Sequence, residues 1–269
     1  MGKDRSEAST MRRGVAAAVV SLVLLAPEAP ADEEVDALHI GPPARAQASV
    51  GSGADAHAAH AATSRRHLVD FERFLPGPLS TGFSTARTGT GLAGAWEVRE
   101  DPNAPSGSKV LRQTSADPTS YRFPVCVYDP LTLTDGEISV RFKPLSGEVD
   151  QAGGIVWRYR DEDNYYVVRA NALEDNVVLY KMEHGKRSDL KPVGAGWFTY
   201  GEKADVPSGK WSELHVVARG SRFEVSLNGA ALFVVDDDTF AGSGKVGLWT
   251  KADSVTSFDD LTVQILDAR

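Results

Sequence analysis

The sequence predicts an all-β protein, a two-sheet antiparallel sandwich or a barrel, and three observations predict it. About a dozen short apolar or alternating runs follow one another from His67 onward. Turn residues separate them, at Asp135-Gly136, Ser208-Gly209, Gly220-Ser221 and Asn228-Gly229. No segment carries a 3.6-residue apolar stripe over three turns, so nothing competes with strands for the core.

The chain begins with an apparent export signal spanning 1–31. Met11-Arg12-Arg13 supplies positive charge, Gly14 to Leu25 is apolar, and Ala29-Pro30-Ala31 offers small residues for cleavage. The apolar run is shorter than the roughly 20 residues that cross a bilayer, and no cysteine follows it to carry a lipid. The mature protein is therefore expected to be secreted or periplasmic, with no membrane span. Residues 32–66 read as a linker, rich in Ala, Gly, Pro and charge without a sustained period. His57, His60 and His67, in HAAHAATSRRH, have neither a fixed frame nor an acidic or thiol neighbour, so they do not read as a metal site.

Residues 67–269 form the expected sandwich. Runs at Leu68–Phe71, Ala95–Val98, Val110–Gln113, Phe123–Tyr128 and Glu137–Lys143 come first. Ile155–Arg160, Tyr165–Ala170 and Val177–Met182 follow as three strands in a row, rich in β-branched and aromatic residues. Trp211–Ala218, Arg222–Leu227, Ala231–Val235, Lys245–Lys251 and Val255–Leu266 complete the set. In EVSLNGAALFVV, Asn228-Gly229 accepts the positive φ angles of a type I′ hairpin turn. The lone Cys126 excludes an intramolecular disulfide and lies in a strand, where a buried, inert thiol is expected. Lys+Arg 29 against Asp+Glu 37 gives a net charge of −8, which offers no electrostatic reason for a nucleic-acid partner.

Alternation assigns faces. Ile138, Val140 and Phe142 point inward while Ser139, Arg141 and Lys143 point out; Val246 and Leu248 point inward, leaving Lys245, Gly247, Trp249 and Lys251 outside. For the three-strand run one consistent choice buries Ile155, Trp157, Tyr159, Tyr166, Val168 and Ala170. It leaves Val156, Arg158, Arg160, Tyr165, Val167, Arg169 and Asn171 outward, and a one-residue shift would exchange the sets.

Three segments carry a family resemblance: GGIVWRYRDEDNYYVVRANALEDNVVLYK, GKWSELHVVARGSRFEVSLNGAALFVV and GKVGLWTKADSVTSFDDLTV. Over Leu68 to Leu266 the chain resembles the concanavalin A-like lectin/glucanase superfamily with a laminin-G-type jelly roll. More narrowly, it is similar to secreted bacterial 3-keto-disaccharide hydrolase domains, often labelled family 16 glycosidases. The resemblance implies two stacked antiparallel sheets, one curved, with carbohydrate handled on the concave face. Glycosidases of the superfamily carry a Glu-x-Asp-x-x-Glu strand motif, which is absent here, so the resemblance does not extend to glucanase chemistry.

The expected ligand set is Arg141, Arg158, Arg169, Asn171, Glu174, Trp249, Lys251 and Asp253. An aromatic ring stacks on the apolar face of a pyranose, while Asn, Arg and Asp exchange hydrogen bonds with its hydroxyls. A basic strip in an acidic protein also suits an anionic or oxidised sugar. No catalytic residue is assigned. Hydrolysis takes two carboxyl groups roughly 5–10 Å apart, for which Glu162, Asp163, Glu174 and Asp253 are the candidates. A 3-keto sugar could instead be cleaved with one general base and a Lys or Arg near the carbonyl oxygen. No cofactor is expected beyond a structural Ca²⁺, which Asp236-Asp237-Asp238 could hold together with Asp70 or with Asp259-Asp260; the other reading of that acidic run, and the favoured one, is a solvated turn. The expected function is exported carbohydrate binding, with cleavage of oxidised saccharides second. The alternative is a laminin-G-like adhesion or protein-interaction module.

Overall fold

The computed structural model describes residues 65–267. The export signal and nearly all of the linker, including His57 and His60, lie outside the described residues. These residues contain seventeen strands and no helix. In chain order they begin with β1 (Arg66–Val69), β2 (Gly77–Pro78), β3 (Phe83–Gly89), β4 (Trp96–Glu100), β5 (Lys109–Gln113) and β6 (Arg122–Leu133). Next come β7 (Gly136–Ser146), β8 (Ala152–Asp161), β9 (Asn164–Asn171), β10 (Asn176–Glu183), β11 (Lys186–Asp189) and β12 (Glu202–Lys203). The last five are β13 (Ser212–Arg219), β14 (Arg222–Leu227), β15 (Ala230–Asp236), β16 (Gly244–Trp249) and β17 (Val255–Ile265).

The strands form two antiparallel sheets. The nine-stranded sheet runs β15-β14-β13-β7-β17-β5-β4-β2, with β1 on β17; the eight-stranded sheet runs β11-β10-β9-β8-β16-β6-β3, with β12 on β10. Ile138, Val140 and Phe142 of one sheet meet Ile155, Trp157, Val168 and Leu248 of the other in the main core. Burying each such side chain contributes roughly 1.5–3 kcal/mol. Cys126 is buried in the same core, as expected. The β14–β15 turn has positive φ at Asn228 and Gly229, as the Asn-Gly pair required.

A second cluster lies on the outer face of the eight-stranded sheet, where Phe123, Val125, Val156, Tyr165, Val178, Tyr180 and Trp249 are buried. Curling explains how an outer face becomes buried. The sheet bends until Thr88 on edge strand β3 hydrogen-bonds to the carbonyl of Glu162 in the β8–β9 turn. The Thr88 hydroxyl also lies 2.7 Å from the Tyr165 hydroxyl. Tyr121, just before β6, donates to the Gly185 carbonyl at 2.9 Å and accepts from the Arg187 amide at 2.9 Å. The two edges of the sheet thus meet over its own face.

The face assignment holds except at one place. Arg158 has φ 47, and the pairing of β8 shifts register on both flanks between 157 and 161 and opposite 245–247. This bulge reverses the alternation. Arg158 turns inward and is fully buried, while Tyr159 turns out to stack on Tyr165 at 5.7 Å. Gly244 crosses the bulge so closely that a Cβ there would lie 2.3 Å from the Arg158 carbonyl carbon.

Candidate functional site

Strand β9 builds the centre of the site, because its outward positions include Arg169 and Asn171 at the end where β10 begins. Arg169 is only 1% exposed. Its Nη1 donates to Asn176 Oδ1 at 2.7 Å, and its Nη2 donates to Glu174 Oε2 at 2.8 Å, Tyr180 OH at 3.2 Å and Tyr200 OH at 3.3 Å. The Tyr180 and Tyr200 hydroxyls are themselves hydrogen-bonded to each other. Burial alone would lower the Arg169 pKa, but Tyr180, Glu174 and Tyr200 raise it further than burial depresses it. Glu174 is correspondingly held below its ordinary value: burial pushes it up, and Arg169, Asn176 and Lys251 together outweigh burial.

Beside this hub stands a second polar group. Asp150 Oδ1 accepts from Asn171 Nδ2 at 2.9 Å, and Asp150 Oδ2 forms an ion pair with Lys251. Burial raises the Asp150 pKa and Lys251 pulls it back. Asp253 accepts from the backbone N–H groups of Glu148 at 2.6 Å, Val149 at 3.0 Å and Asp150 at 2.9 Å. These bonds pin the β7–β8 loop beneath the site and outweigh burial, so the Asp253 carboxyl is held low.

The expected set is therefore divided. Arg169, Asn171, Glu174, Lys251 and Asp253 meet at one end of the outer face; Trp249 is on that face but fully buried, its ring stacked on Phe123 at 5.4 Å, so it offers no surface for a sugar to stack on. Arg141 does not join them. Its strand belongs to the nine-stranded sheet, where Arg141 faces outward to Glu213 at 3.6 Å and Asp260 at 3.7 Å, across the sandwich from Arg169. Arg158 does not join them either, because the bulge points it inward to the carbonyls of Thr134, Phe240 and Gly220.

Tyr200, Tyr180, Asn176 and Asp150 belong to the site without having been singled out from sequence. Tyr180 and Asn176 share the outward parity of Val178 on β10. Tyr200 comes from the connection between β11 and β12, which leaves the β10 edge and returns to it. The return is fixed at Gly201, which has φ 62 and lies so near β10 that a Cβ would be 2.2 Å from the Val177 carbonyl oxygen. Gly201→Ala is expected to cost about 1–3 kcal/mol and to displace Tyr200. Urea unfolding checks the cost, and tyrosine fluorescence or NMR checks the displacement.

The carboxylates are unevenly placed for cleavage chemistry. Glu162 and Asp163 sit in the β8–β9 turn. The length of β9, roughly 3.3 Å per residue, separates them from Glu174 and Asp253 by about 20 Å or more. No pair drawn across that strand meets the spacing glycoside hydrolysis needs. Near Arg169, Asp150 and Glu174 are already engaged by Lys251 and Arg169.

The carboxylates named for calcium are each engaged locally. Asp70 Oδ1 accepts from the Glu72 amide at 3.2 Å. Asp259 Oδ2 accepts from Ser106 N at 3.1 Å, and its Oδ1 accepts from Asp260 N at 2.8 Å. Among the described residues no group of three or more acidic, His or Cys side chains is placed to hold a metal, whereas Ca²⁺ takes six to eight oxygens. Asp236 and Asp237 serve Arg222 and Tyr166 in a turn.

Burial pushes the Asp259 carboxyl up to about 7, with the neighbouring Asp260 charge adding to it against hydrogen bonds from Ser106 and Asp260. Between about 4 and about 7 the folded protein keeps a proton that the unfolded chain has lost, so stability falls as pH rises. Asp259→Asn is expected to remove that slope, which urea unfolding at pH 5 and pH 8 measures. Equal slopes in both proteins would refute the assignment.

No family model matches the chain, and no curated protein matches it. Among solved structures, it is similar to the carbohydrate-binding module CBM66 from Bacillus subtilis, at 20% identity and a TM-score of 0.52, over 68% of this chain and 96% of that one. It is also similar to the β-glucanase of Bacillus licheniformis, at 12% identity and a TM-score of 0.46, over 72% and 98% of the two chains. The fold is a two-sheet antiparallel jelly-roll sandwich.

Proposed function

We propose that the protein binds saccharide on the outer face of the eight-stranded sheet, at the end marked by Arg169. The observation that carries this reading is Tyr200. The residue is 45% exposed, while its hydroxyl is tied to Arg169 and Tyr180. A ring fixed in place beside guanidinium, carboxylate and amide groups is what a pyranose needs: an apolar face to stack on and a mixed rim for its hydroxyls. The shared fold with a carbohydrate-binding module agrees with this reading. Export through the 1–31 segment belongs to the same proposal, since polysaccharide is met outside the cell.

Binding without cleavage is the form of the reading that the carboxylates support. Asp150 next to Lys251 resembles a base beside an electrophile, but Asp150 is fully buried and held by Asn171. A thermal-shift panel of neutral and acidic oligosaccharides, with chromatography of the same samples, tests both halves. A melting shift without product is expected, and Tyr200→Ala should weaken binding about tenfold. A shift in Tyr200→Ala equal to that of the unaltered protein would remove the site.

One observation favours the adhesion reading. Trp197 and Phe198, at the tip of the same connection, are 86% and 76% exposed, with rings 6.0 Å apart. Adjacent bare aromatics suit a protein partner. On that reading no saccharide in the panel would shift the melting temperature, and Trp197→Ala would weaken binding of the protein partner.

A further inference from the structure

We propose that the saccharide taken by this face is acidic, its carboxylate held by the guanidinium group of Arg187, which Arg169 backs from beneath the same ring. This inference rests on the saccharide reading above and adds the charge of the ligand to it. Arg187, on β11, packs its guanidinium against two rings at once, 4.6 Å from the centre of Tyr180 and 4.9 Å from that of Phe123. The Arg169 guanidinium lies 5.8 Å from the same Tyr180 ring. Two arginines therefore share one aromatic platform in a chain of net charge −8.

Their hydrogen bonds are incomplete. Among the described residues Arg187 Nη1 and Arg169 Nε are buried without an acceptor. Both spare groups are donors. Arg187 has no ion-pair partner among the described residues, although carboxylates are close along the chain. Glu183 pairs with Lys181 at 3.5 Å, Asp189 with Lys191 at 2.5 Å and Glu174 with Arg169 at 2.8 Å. A partly buried cation and unmet buried donors are costly unless something supplies acceptors. A carboxylate supplies two acceptor oxygens in the plane of a guanidinium fork, with opposite charge. A neutral sugar hydroxyl would satisfy one donor and leave the charge unopposed.

The test uses galacturonic-acid oligomers and their methyl esters, which keep the sugar shape and remove the charge. Calorimetric titration of the full chain is expected to show the acid binding at least about tenfold more tightly than the ester. Arg187→Gln should abolish that preference, and Arg187→Lys should restore only part of it, because an ammonium lacks the fork. Melting temperatures of both variants report whether they fold. Equal affinity for acid and ester would overturn the acidic ligand while leaving the saccharide face standing, as would binding of neutral glucans or fructans alone. Binding of none of these, charged or neutral, would overturn both.

Discussion

Arg158→Ala is expected to destabilise the folded protein by about 4 kcal/mol, the largest effect on stability that we predict for a single substitution. The side chain is fully buried. Nη1 donates to the Phe240 carbonyl at 2.8 Å, and Nη2 to the carbonyls of Gly220 at 2.6 Å and Thr134 at 3.0 Å. Asp135 lies 3.4 Å away, and the guanidinium sits over the Phe223 ring at 5.4 Å. One side chain thus closes the end of the sandwich by joining three separate loops. Truncation strands those carbonyls, each at a cost of about 1–3 kcal/mol, and leaves a cavity beside Phe223. Urea unfolding reads the result as a fall in midpoint at unchanged slope. Arg158→Lys should recover little, since one ammonium cannot reach the same acceptors. A loss below about 1 kcal/mol would mean the guanidinium is solvated, as it would be on an ordinary sheet face.

Arg169→Ala carries the largest expected effect on binding, a loss of at least about 100-fold in saccharide affinity. Arg169 is buried, so the substitution acts by freeing Glu174, Asn176, Tyr180 and Tyr200 from their common partner. The Tyr200 ring then has no fixed position over the site. Glu174→Gln is the informative companion. It removes the charge but keeps an acceptor for Nη2, so a milder loss of about tenfold or less is expected. Calorimetry on both variants, with melting temperatures to confirm folding, separates recognition from collapse. Full affinity in a folded Arg169→Ala protein would place the ligand elsewhere.

The fold was legible because period-two alternation is imposed wherever one face of a strand meets a core. At Ile138–Phe142 and Val246–Leu248 polar and apolar residues alternate cleanly, and the inward set reaches the core as expected. Strands β2, β3, β11 and β12 escaped notice. The sequences FSTARTG, KRSD and EK lack alternating apolar residues because they lie at or along sheet edges, where charge and small side chains are tolerated. The site was half legible. Arg169, Asn171 and Glu174 lie on or just after one strand and were grouped by parity and proximity. Arg158 was misplaced because a bulge leaves no mark in composition; only the positive φ at a non-glycine residue reveals it. Arg141 was misplaced because sequence alternation says which way a residue faces within its sheet, not which sheet holds it. Tyr200 and Asp150 come from connections whose course only the fold determines.

The most direct test of the saccharide face is amide hydrogen exchange on the full chain, with and without a saturating oligosaccharide that shifts its melting temperature. Slowed exchange is predicted in the segment from Arg169 through Met182 and in the β11–β12 connection around Tyr200, with the β4–β5 and β14–β15 turns unchanged. Protection confined to the outer face of the nine-stranded sheet, around Arg141 and Trp211, would contradict the account.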